Sequence, residues 1–96
     1  MNKILITGAS GYIGSCLFKY LIKKNFDVYG LDKKQLSIKE LKNRFYHGNL
    51  NNKKFLNKLI SFLNPDFVIH LAGESTLDGI KKKKNILLIT SMLQRL

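Results

Sequence analysis

The chain has 96 residues, a net charge of +11 and a hydrophobic content of 45%, which fit one small globular domain and exclude a disordered chain. The single cysteine cannot form an internal disulfide, and no apolar run approaches the ~20 residues of a membrane-spanning helix. Because Arg44 and Arg95 are the only arginines, the basic charge indicates a solvated lysine surface rather than specific nucleic-acid recognition. We expect a cytoplasmic protein without a metal site.

The first half of the chain predicts two strands joined by a helix, then a short helix and a weaker strand. The apolar run at Lys3–Thr7 is continuous rather than alternating, which is typical of a strand buried on both faces. Apolar residues then recur at helical spacing and are expected to form one buried stripe: Ile13, Leu17, Tyr20 and Leu21. A second strand is predicted at Asp27–Leu31, one or two helical turns within Ser37–Leu41, and a weaker strand at Arg44–His47.

The second half predicts a helix, a strand and a final helix. Paired apolar residues mark the first of these helices: Phe55, Leu56, Leu59, Ile60, Phe62 and Leu63. Asn51 or Asn52 is its expected N-cap, and Asn64-Pro65 is expected to end it. A strand follows at Asp66–Leu71 and a helix over Asn85–Leu96. Alternating strands and helices predict an α/β fold, a parallel sheet with helices on both faces.

Three glycines between the first strand and the first helix are the most informative residues. Gly8, Gly11 and Gly14 have the spacing G-x-x-G-x-x-G. Gly8 allows a sharp exit from the strand, Gly11 lets the backbone approach a pyrophosphate, and Gly14 lets the helix pack closely on the strand. The helix N-terminus then offers free N–H groups to phosphates. This context predicts a dinucleotide-binding turn.

Asp32 is the second element of this predicted site. It stands at the end of the second predicted strand, 18 residues after Gly14, where a carboxylate can accept hydrogen bonds from the adenosine ribose. A carboxylate would repel a 2′-phosphate, which favours NAD over NADP. Lys33 and Lys34 follow directly and weaken this argument, because a lysine can pair with a phosphate.

These residues resemble the N-terminal part of the extended short-chain dehydrogenase/reductase family, the NAD-dependent epimerases and dehydratases of nucleotide sugars. The resemblance rests on Thr7–Gly14, Asp32, Gly48-Asn49-Leu50 and Pro65–Gly73. It implies that residues 1–96 form the N-terminal half of a Rossmann-type domain, with strand order 3-2-1-4. It also implies NAD as the cofactor, and a nucleotide sugar as the substrate of a full-length enzyme.

The resemblance also implies a set of cofactor-binding residues. These are Gly8, Ser10, Gly11, Tyr12, Ile13, Gly14, Asp32, Asn49, Leu50, Leu71, Ala72 and Gly73. Asn49 replaces a family aspartate that binds the adenine amino group, and its amide oxygen can accept the same bond. Leu71, Ala72 and Gly73 correspond to the segment that passes the pyrophosphate and the nicotinamide ribose. His70 is expected to be structural.

In the family, the catalytic Ser/Thr and Tyr-x-x-x-Lys follow the fifth strand, and the resemblance implies that this chain never reaches that strand. Two pairs match the Tyr-x-x-x-Lys spacing, Tyr20/Lys24 and Tyr29/Lys33. We predict Tyr20 on the buried stripe of the first helix and Tyr29 inside the second strand, so neither pair is expected to be catalytic. We therefore expect no independent catalysis.

Three hypotheses remain open from the sequence. The chain is the NAD-binding segment of an epimerase/dehydratase-like protein, a stand-alone or remnant dinucleotide-binding module without turnover, or a basic nucleic-acid-binding module. Under the first hypothesis, a shift of reading frame at the lysine run Lys81–Lys84 would explain why the chain is short. In half a sheet the fourth strand lies at an open edge, which would be free to pair with another chain.

Overall fold

The computed structural model describes residues 2–34, 39–49, 51–71 and 87–90. In chain order the elements are β1 (Lys3–Thr7), α1 (Tyr12–Lys23), β2 (Asp27–Asp32), a 3₁₀-helix (Lys39–Arg44), β3 (Phe45–His47), α2 (Lys53–Leu63), β4 (Phe67–His70) and β5 (Leu87–Thr90). Neither helix in the described part of the chain is long and apolar enough to cross a membrane.

All neighbouring strands are parallel, and the sheet order is β3-β2-β1-β4-β5. This confirms the predicted order 3-2-1-4. The central strand β1 pairs with β2 on one side and β4 on the other, so that Thr7 lies level with Leu31 and His70. The carboxyl ends of these three strands therefore meet at one edge of the sheet, where ligands of open α/β sheets bind.

The fifth strand corrects three predictions. The expectation that the chain never reaches a fifth strand is wrong, because β5 lies beside β4 in the sheet. The helix predicted over Asn85–Leu96 is wrong for Leu87–Thr90, which pair with β4 as a strand. The predicted open edge on β4 is wrong for the same reason, because β5 covers it. A short apolar run fits a buried strand as well as a helix, so periodicity alone could not decide. The rest of the predicted helix and Lys81–Lys84 lie outside the described residues.

Among the described residues, α1 lies on one face of the sheet and α2 on the other, each with a cluster of buried apolar residues, which confirms the predicted helices on both faces. The α1 face buries Ile4, Ile6, Ala9, Phe18, Val28 and Leu41. The α2 face buries Leu5, Leu31, Leu56, Leu59, Ile60, Leu63 and Val68. Successive residues of β1 point to opposite clusters, which explains why its apolar run is continuous.

The buried face of α1 differs from the predicted stripe. Phe18 and Gly14 are buried, whereas Tyr20 is 56% exposed and Ile13 is 45% exposed. The prediction was therefore wrong for Tyr20 and Ile13. The reason is the glycine, because it brings the helix so close to the sheet that the line of contact runs through Gly14 and Phe18, four residues apart.

The ends of α2 follow their predicted signals. The Asn52 side chain accepts a hydrogen bond from the Phe55 backbone N–H at 3.2 Å, which assigns the N-cap to Asn52 rather than Asn51. Asn64 adopts a left-handed conformation with φ of 49°, and its N–H donates to the Ile60 carbonyl at 2.8 Å. Asparagine tolerates this conformation better than most residues, so it ends the helix just before Pro65.

Candidate functional site

The turn between β1 and α1 is bound to the end of β2. Gly8 has a positive φ of 74°, which a residue with a Cβ adopts only with strain. The backbone N–H groups of Gly8 and Ala9 both donate to the Leu31 carbonyl, at 2.8 and 3.3 Å. The Gly11 N–H donates to the Gly8 carbonyl at 3.2 Å, which closes the turn. The predicted role of Gly8 at the strand exit is confirmed by this conformation.

Gly14 and Gly11 differ in what the chain itself requires of them. A Cβ on Gly14 would overlap the Gly8 carbonyl oxygen and lie 3.0 Å from the Ala9 Cα, so close packing demands a glycine there. Gly11 has φ of −71° and ψ of 173°, which any residue adopts, and a Cβ would lie 3.4 Å from the Gly8 oxygen in ordinary contact. Gly11 is also exposed. Packing within the described chain therefore does not require a glycine at position 11.

The N-terminus of α1 offers backbone donors to the outside. Gly11 is the N-cap, and none of the side chains described caps the helix. The N–H groups of the first turn have no acceptor within the helix, and that turn carries no acidic residue. Tyr12, which is 86% exposed, and Ile13 flank these donors. The arrangement suits an anion, because free N–H groups and the positive end of the helix dipole point to the same place.

Asp32 lies beside this turn and is held by three donors. Ser10 donates to Asp32 Oδ2 from its backbone N–H at 3.1 Å and from its hydroxyl at 2.6 Å. The Lys34 N–H donates to Asp32 Oδ1 at 3.3 Å. Within residues 2–34, 39–49 and 51–71 the one ion pair joins Arg44 to Asp27 at 2.9 Å, so neither Lys33 nor Lys34 pairs with Asp32. The two Ser10 contacts thus tie the Asp32 carboxylate to the turn that leads into the uncapped helix.

Asn49 lies at the end of the neighbouring strand β3. The Gly48 N–H donates to the Asp32 carbonyl at 2.9 Å, which places Asn49 beside the end of β2. The exposed Asn49 side chain accepts a hydrogen bond from the Asn51 N–H at 2.9 Å through Oδ1. An amide oxygen has two lone pairs, so one remains for a ligand. The predicted site residue Leu50 lies outside the described residues.

On the other side of β1, a buried polar pair joins β1 to β4. The Thr7 hydroxyl lies 2.7 Å from His70 Nδ1, and the two residues are 0% and 2% exposed. The Leu71 N–H donates to the Thr7 carbonyl and hydroxyl oxygens at 3.1 and 3.2 Å. Burial lowers the pKa of His70, which favours a neutral ring whose Nδ1 accepts the Thr7 proton. This pair therefore sets the path of the chain as it leaves β4.

The sequence interpretation treated His70 as structural but missed Thr7. The signal was present, since Thr7 is the one polar residue that ends a strand of aliphatic residues. Leu71 is half-buried at the same edge as the glycine turn. Ala72 and Gly73, which were predicted to continue the site, lie outside the described residues.

The tyrosines of the two pairs with catalytic spacing lie in α1 and inside β2, not in the glycine turn. Tyr20 is in the last half of α1, which runs from the carboxyl edge of the sheet toward the opposite edge, and Lys24 Nζ lies 5.7 Å from its ring. Tyr29 is inside β2 on the α2 face, with its ring centroid 6.3 Å from that of Tyr46.

In the part of the chain that is described, no three His, Cys, Asp or Glu side chains gather into a metal site.

Known proteins resemble this chain in sequence and in structure. The sequence profile of the NAD dependent epimerase/dehydratase family matches residues 4–93. A probable dTDP-glucose 4,6-dehydratase of Sinorhizobium fredii is 35% identical over 85 residues, which are 79% of this chain and 24% of that protein. The chain thus spans about a quarter of the length of the curated relatives that it matches.

Two solved structures share the fold. A dTDP-glucose 4,6-dehydratase from Bacillus anthracis in complex with NAD has a TM-score of 0.78 and 21% identity, over 94% of this chain and 37% of that one. The Bordetella bronchiseptica enzyme WbmH in complex with NAD+ has a TM-score of 0.65 and 33% identity, over 79% and 27%. The first likeness establishes the Rossmann-type fold, and the second adds a similarity of sequence.

Proposed function

The chain belongs to the NAD dependent epimerase/dehydratase family, and from this premise we propose that it binds NAD at the carboxyl edge of its sheet. The pyrophosphate lies at the N-terminus of α1, and the adenosine ribose lies against Asp32. The solved structure of WbmH, which is 33% identical to this chain, is a complex with NAD+.

The observation that carries the proposal is the contrast between Gly11 and Gly14. Gly14 is explained by the close contact with the Gly8 carbonyl, whereas a Cβ on Gly11 would make an ordinary contact with the Gly8 oxygen at 3.4 Å. A glycine at position 11 keeps the surface clear next to the uncapped first turn of α1. A pyrophosphate needs such a surface, because it must reach backbone N–H groups without a side chain in the way.

The charge of Asp32 supports NAD over NADP. Two unit charges 4 Å apart near a protein surface interact by about 4 kcal/mol, so a 2′-phosphate beside this carboxylate is strongly disfavoured. The exposed side chains of Lys33 and Lys34 form no ion pair with Asp32, and the contact of Lys34 with Asp32 is made by its backbone N–H.

The remaining predicted residues have supporting roles in this proposal. Tyr12 and Ile13 border the pyrophosphate, and Asn49 with Leu50 borders the adenine. Leu71, Ala72 and Gly73 line the path toward the nicotinamide ribose. When bound, the nicotinamide ring supplies hydride transfer, while these residues bind and orient the cofactor.

We further propose that the chemistry served by this segment acts on a nucleotide sugar. Several relatives are named for dTDP-glucose 4,6-dehydration. We propose that residues 1–96 bind the cofactor without turning over such a substrate. This is supported by the positions of Tyr20 and Tyr29, the tyrosines with the catalytic spacing, which lie in α1 and inside β2 rather than at the end of β4, where we propose the nicotinamide ribose.

Isothermal titration of the 96-residue chain with NAD tests the proposal. Because a net charge of +11 attracts any polyanion, the titration is repeated at 0.05 and about 0.5 M salt, with inorganic pyrophosphate as the comparison ligand. We expect NAD to bind more tightly than pyrophosphate at both salt concentrations. Binding of NAD that is no tighter than that of pyrophosphate, or that disappears at high salt, would contradict the proposal.

A second assay tests the absence of turnover. The chain is incubated with NAD and dTDP-glucose, and the sugar products are followed by chromatography. We expect no conversion, and any turnover that scales with the amount of chain would show that residues 1–96 contain a catalytic group.

A further inference from the structure

The contact between Ser10 and Asp32 is stronger than one surface hydrogen bond. Both donors of Ser10, the backbone N–H and the hydroxyl, bind the same oxygen, Asp32 Oδ2. The hydroxyl distance of 2.6 Å is in the range of charge-assisted hydrogen bonds between a hydroxyl and a carboxylate. Ser10 belongs to the glycine turn and Asp32 ends β2, so this contact joins two parts of the candidate site.

Further hydrogen bonds around Asp32 restrict the rotation of its carboxylate. Lys34 donates its backbone N–H to the other oxygen, Oδ1, and the Asp32 main-chain carbonyl accepts the Gly48 N–H. A carboxylate offers about four acceptor positions, and three are used here, which leaves about one for a ligand hydroxyl. The carboxylate is therefore oriented before any ligand arrives.

We infer that Ser10 is a positioning residue that determines cofactor specificity, because it holds the Asp32 carboxylate where it accepts the ribose hydroxyl of NAD and repels the 2′-phosphate of NADP. The inference rests on the proposed function. If Asp32 were free to rotate away, the 2′-phosphate could enter and Lys33 or Lys34 could pair with it. Rotation breaks both Ser10 contacts, so the serine keeps the repulsion in place.

The test compares the dissociation constants of NAD and NADP for the wild-type chain and for Ser10→Ala. Removal of the hydroxyl should weaken NAD binding about five- to tenfold, because one charge-assisted hydrogen bond is lost. NADP binding should stay the same or become tighter. The NADP/NAD ratio of dissociation constants therefore falls by about tenfold, whereas a purely structural role would weaken both ligands equally.

Three further variants separate positioning from folding. In an Asp32→Ala background, Ser10→Ala should leave the ratio unchanged within about twofold, because there is no carboxylate to hold. Ser10→Thr keeps the hydroxyl and should restore the wild-type ratio. Ser15→Ala is the matched control, because Ser15 donates its hydroxyl to the Tyr12 carbonyl at 3.2 Å in the same helix start and does not contact Asp32.

The outcomes distinguish this inference from the proposed function. No NAD binding by the wild-type chain would overturn both. Wild-type NAD binding with a ratio that Ser10→Ala leaves unchanged would overturn only the inference. Should Ser10→Ala fail to fold, hydrogen exchange of the Ser10 amide gives a second readout. Its protection should fall at least tenfold in Asp32→Ala, and unchanged protection would overturn the inference.

Discussion

The two α-helices in the described part of the chain, α1 and α2, begin in opposite ways. The first turn of α2 is closed by its own sequence, since Asn52 accepts the Phe55 N–H. The first turn of α1 starts at Gly11 without a capping side chain among the described residues. Both helix N-termini have backbone N–H groups that lack an acceptor within the helix. Among the described residues, a side chain accepts from one of these groups in α2 but not in α1.

The comparison distinguishes backbone donors that are satisfied within the fold from donors that stay available to a ligand. A capping side chain is worth about 1 kcal/mol relative to alanine but only a few tenths of a kcal/mol relative to glycine, so the glycine at the start of α1 forgoes a small stabilisation that the start of α2 obtains. The buried Thr7–His70 pair resembles the start of α2 in this respect, because its polar atoms contact each other and other atoms of the chain. Donors that remain open and exposed at a sheet edge are the ones available to a ligand.

The largest effect on NAD binding is expected from a charged N-cap residue at the start of α1. In Gly11→Asp the new carboxylate caps α1 and repels the pyrophosphate, so NAD affinity should fall by at least about 100-fold. The free energy of unfolding should stay the same or rise by a few tenths of a kcal/mol, because aspartate is as good an N-cap as glycine or better. Titration with NAD and urea unfolding measure the two effects.

Gly14→Ala is the contrasting control for this prediction. Its methyl group would overlap the Gly8 carbonyl oxygen, so it should lower the free energy of unfolding by about 1–3 kcal/mol. If Gly11→Asp lowers stability as much as Gly14→Ala does, Gly11 is structural and the contrast between the two glycines fails.

Removing the N-cap side chain of α2 should have a smaller effect, and it should change the free energy of unfolding but not NAD binding. Asn52→Ala removes the bond to Phe55 and should cost about 1 kcal/mol, which lowers the Tm by about 4–8 °C in a domain of this size. The dissociation constant of NAD should change less than twofold. Asn51→Ala is the matched control, because Asn51 contributes its backbone N–H and should change stability by less than about 0.5 kcal/mol. Equal losses for both variants would show that Asn52 is not a cap.

The smallest predicted effect is a pH dependence from the buried pair. Burial lowers the pKa of His70 below that of an unfolded histidine, which is about 6.5. Below pH 6.5 the unfolded chain therefore binds a proton that the folded chain does not. The free energy of unfolding should fall as the pH drops from 6.5, until the pH passes below the folded-state pKa. Urea unfolding at pH 7.5, 6.5 and 5.5 measures this slope.

One histidine variant assigns the slope. His70→Asn keeps an acceptor near the position of Nδ1 but does not titrate, so its slope below pH 6.5 should be reduced. Asp27 does not contribute in this window, because the hydrogen bond from Arg44 lowers the pKa of its carboxyl. A slope that survives in His70→Asn would assign it to another group.

The candidate site was predictable where local chemistry sets it. Gly8 and Gly14 are required by a positive φ and by a close contact, and both follow from the strand–turn–helix pattern. The Ser10–Asp32 contact was not predictable from spacing, because it depends on how the glycine turn bends over the end of β2. The Thr7–His70 pair likewise joins residues 63 positions apart, and no local pattern relates them.

The sequence by itself determined the alternation of strands and helices, the parallel sheet and the position of the glycine turn. These follow from short-range properties: continuous apolar runs, capping residues and glycine spacing. The strand order 3-2-1-4 was predicted from the resemblance to the family, not from these local patterns. Only the tertiary structure decided which face of α1 is buried and that Leu87–Thr90 form a strand. Both depend on packing partners distant in the chain, since a close approach at Gly14 moves the contact line of α1, and an apolar tetrapeptide forms a strand where β4 offers unpaired backbone groups.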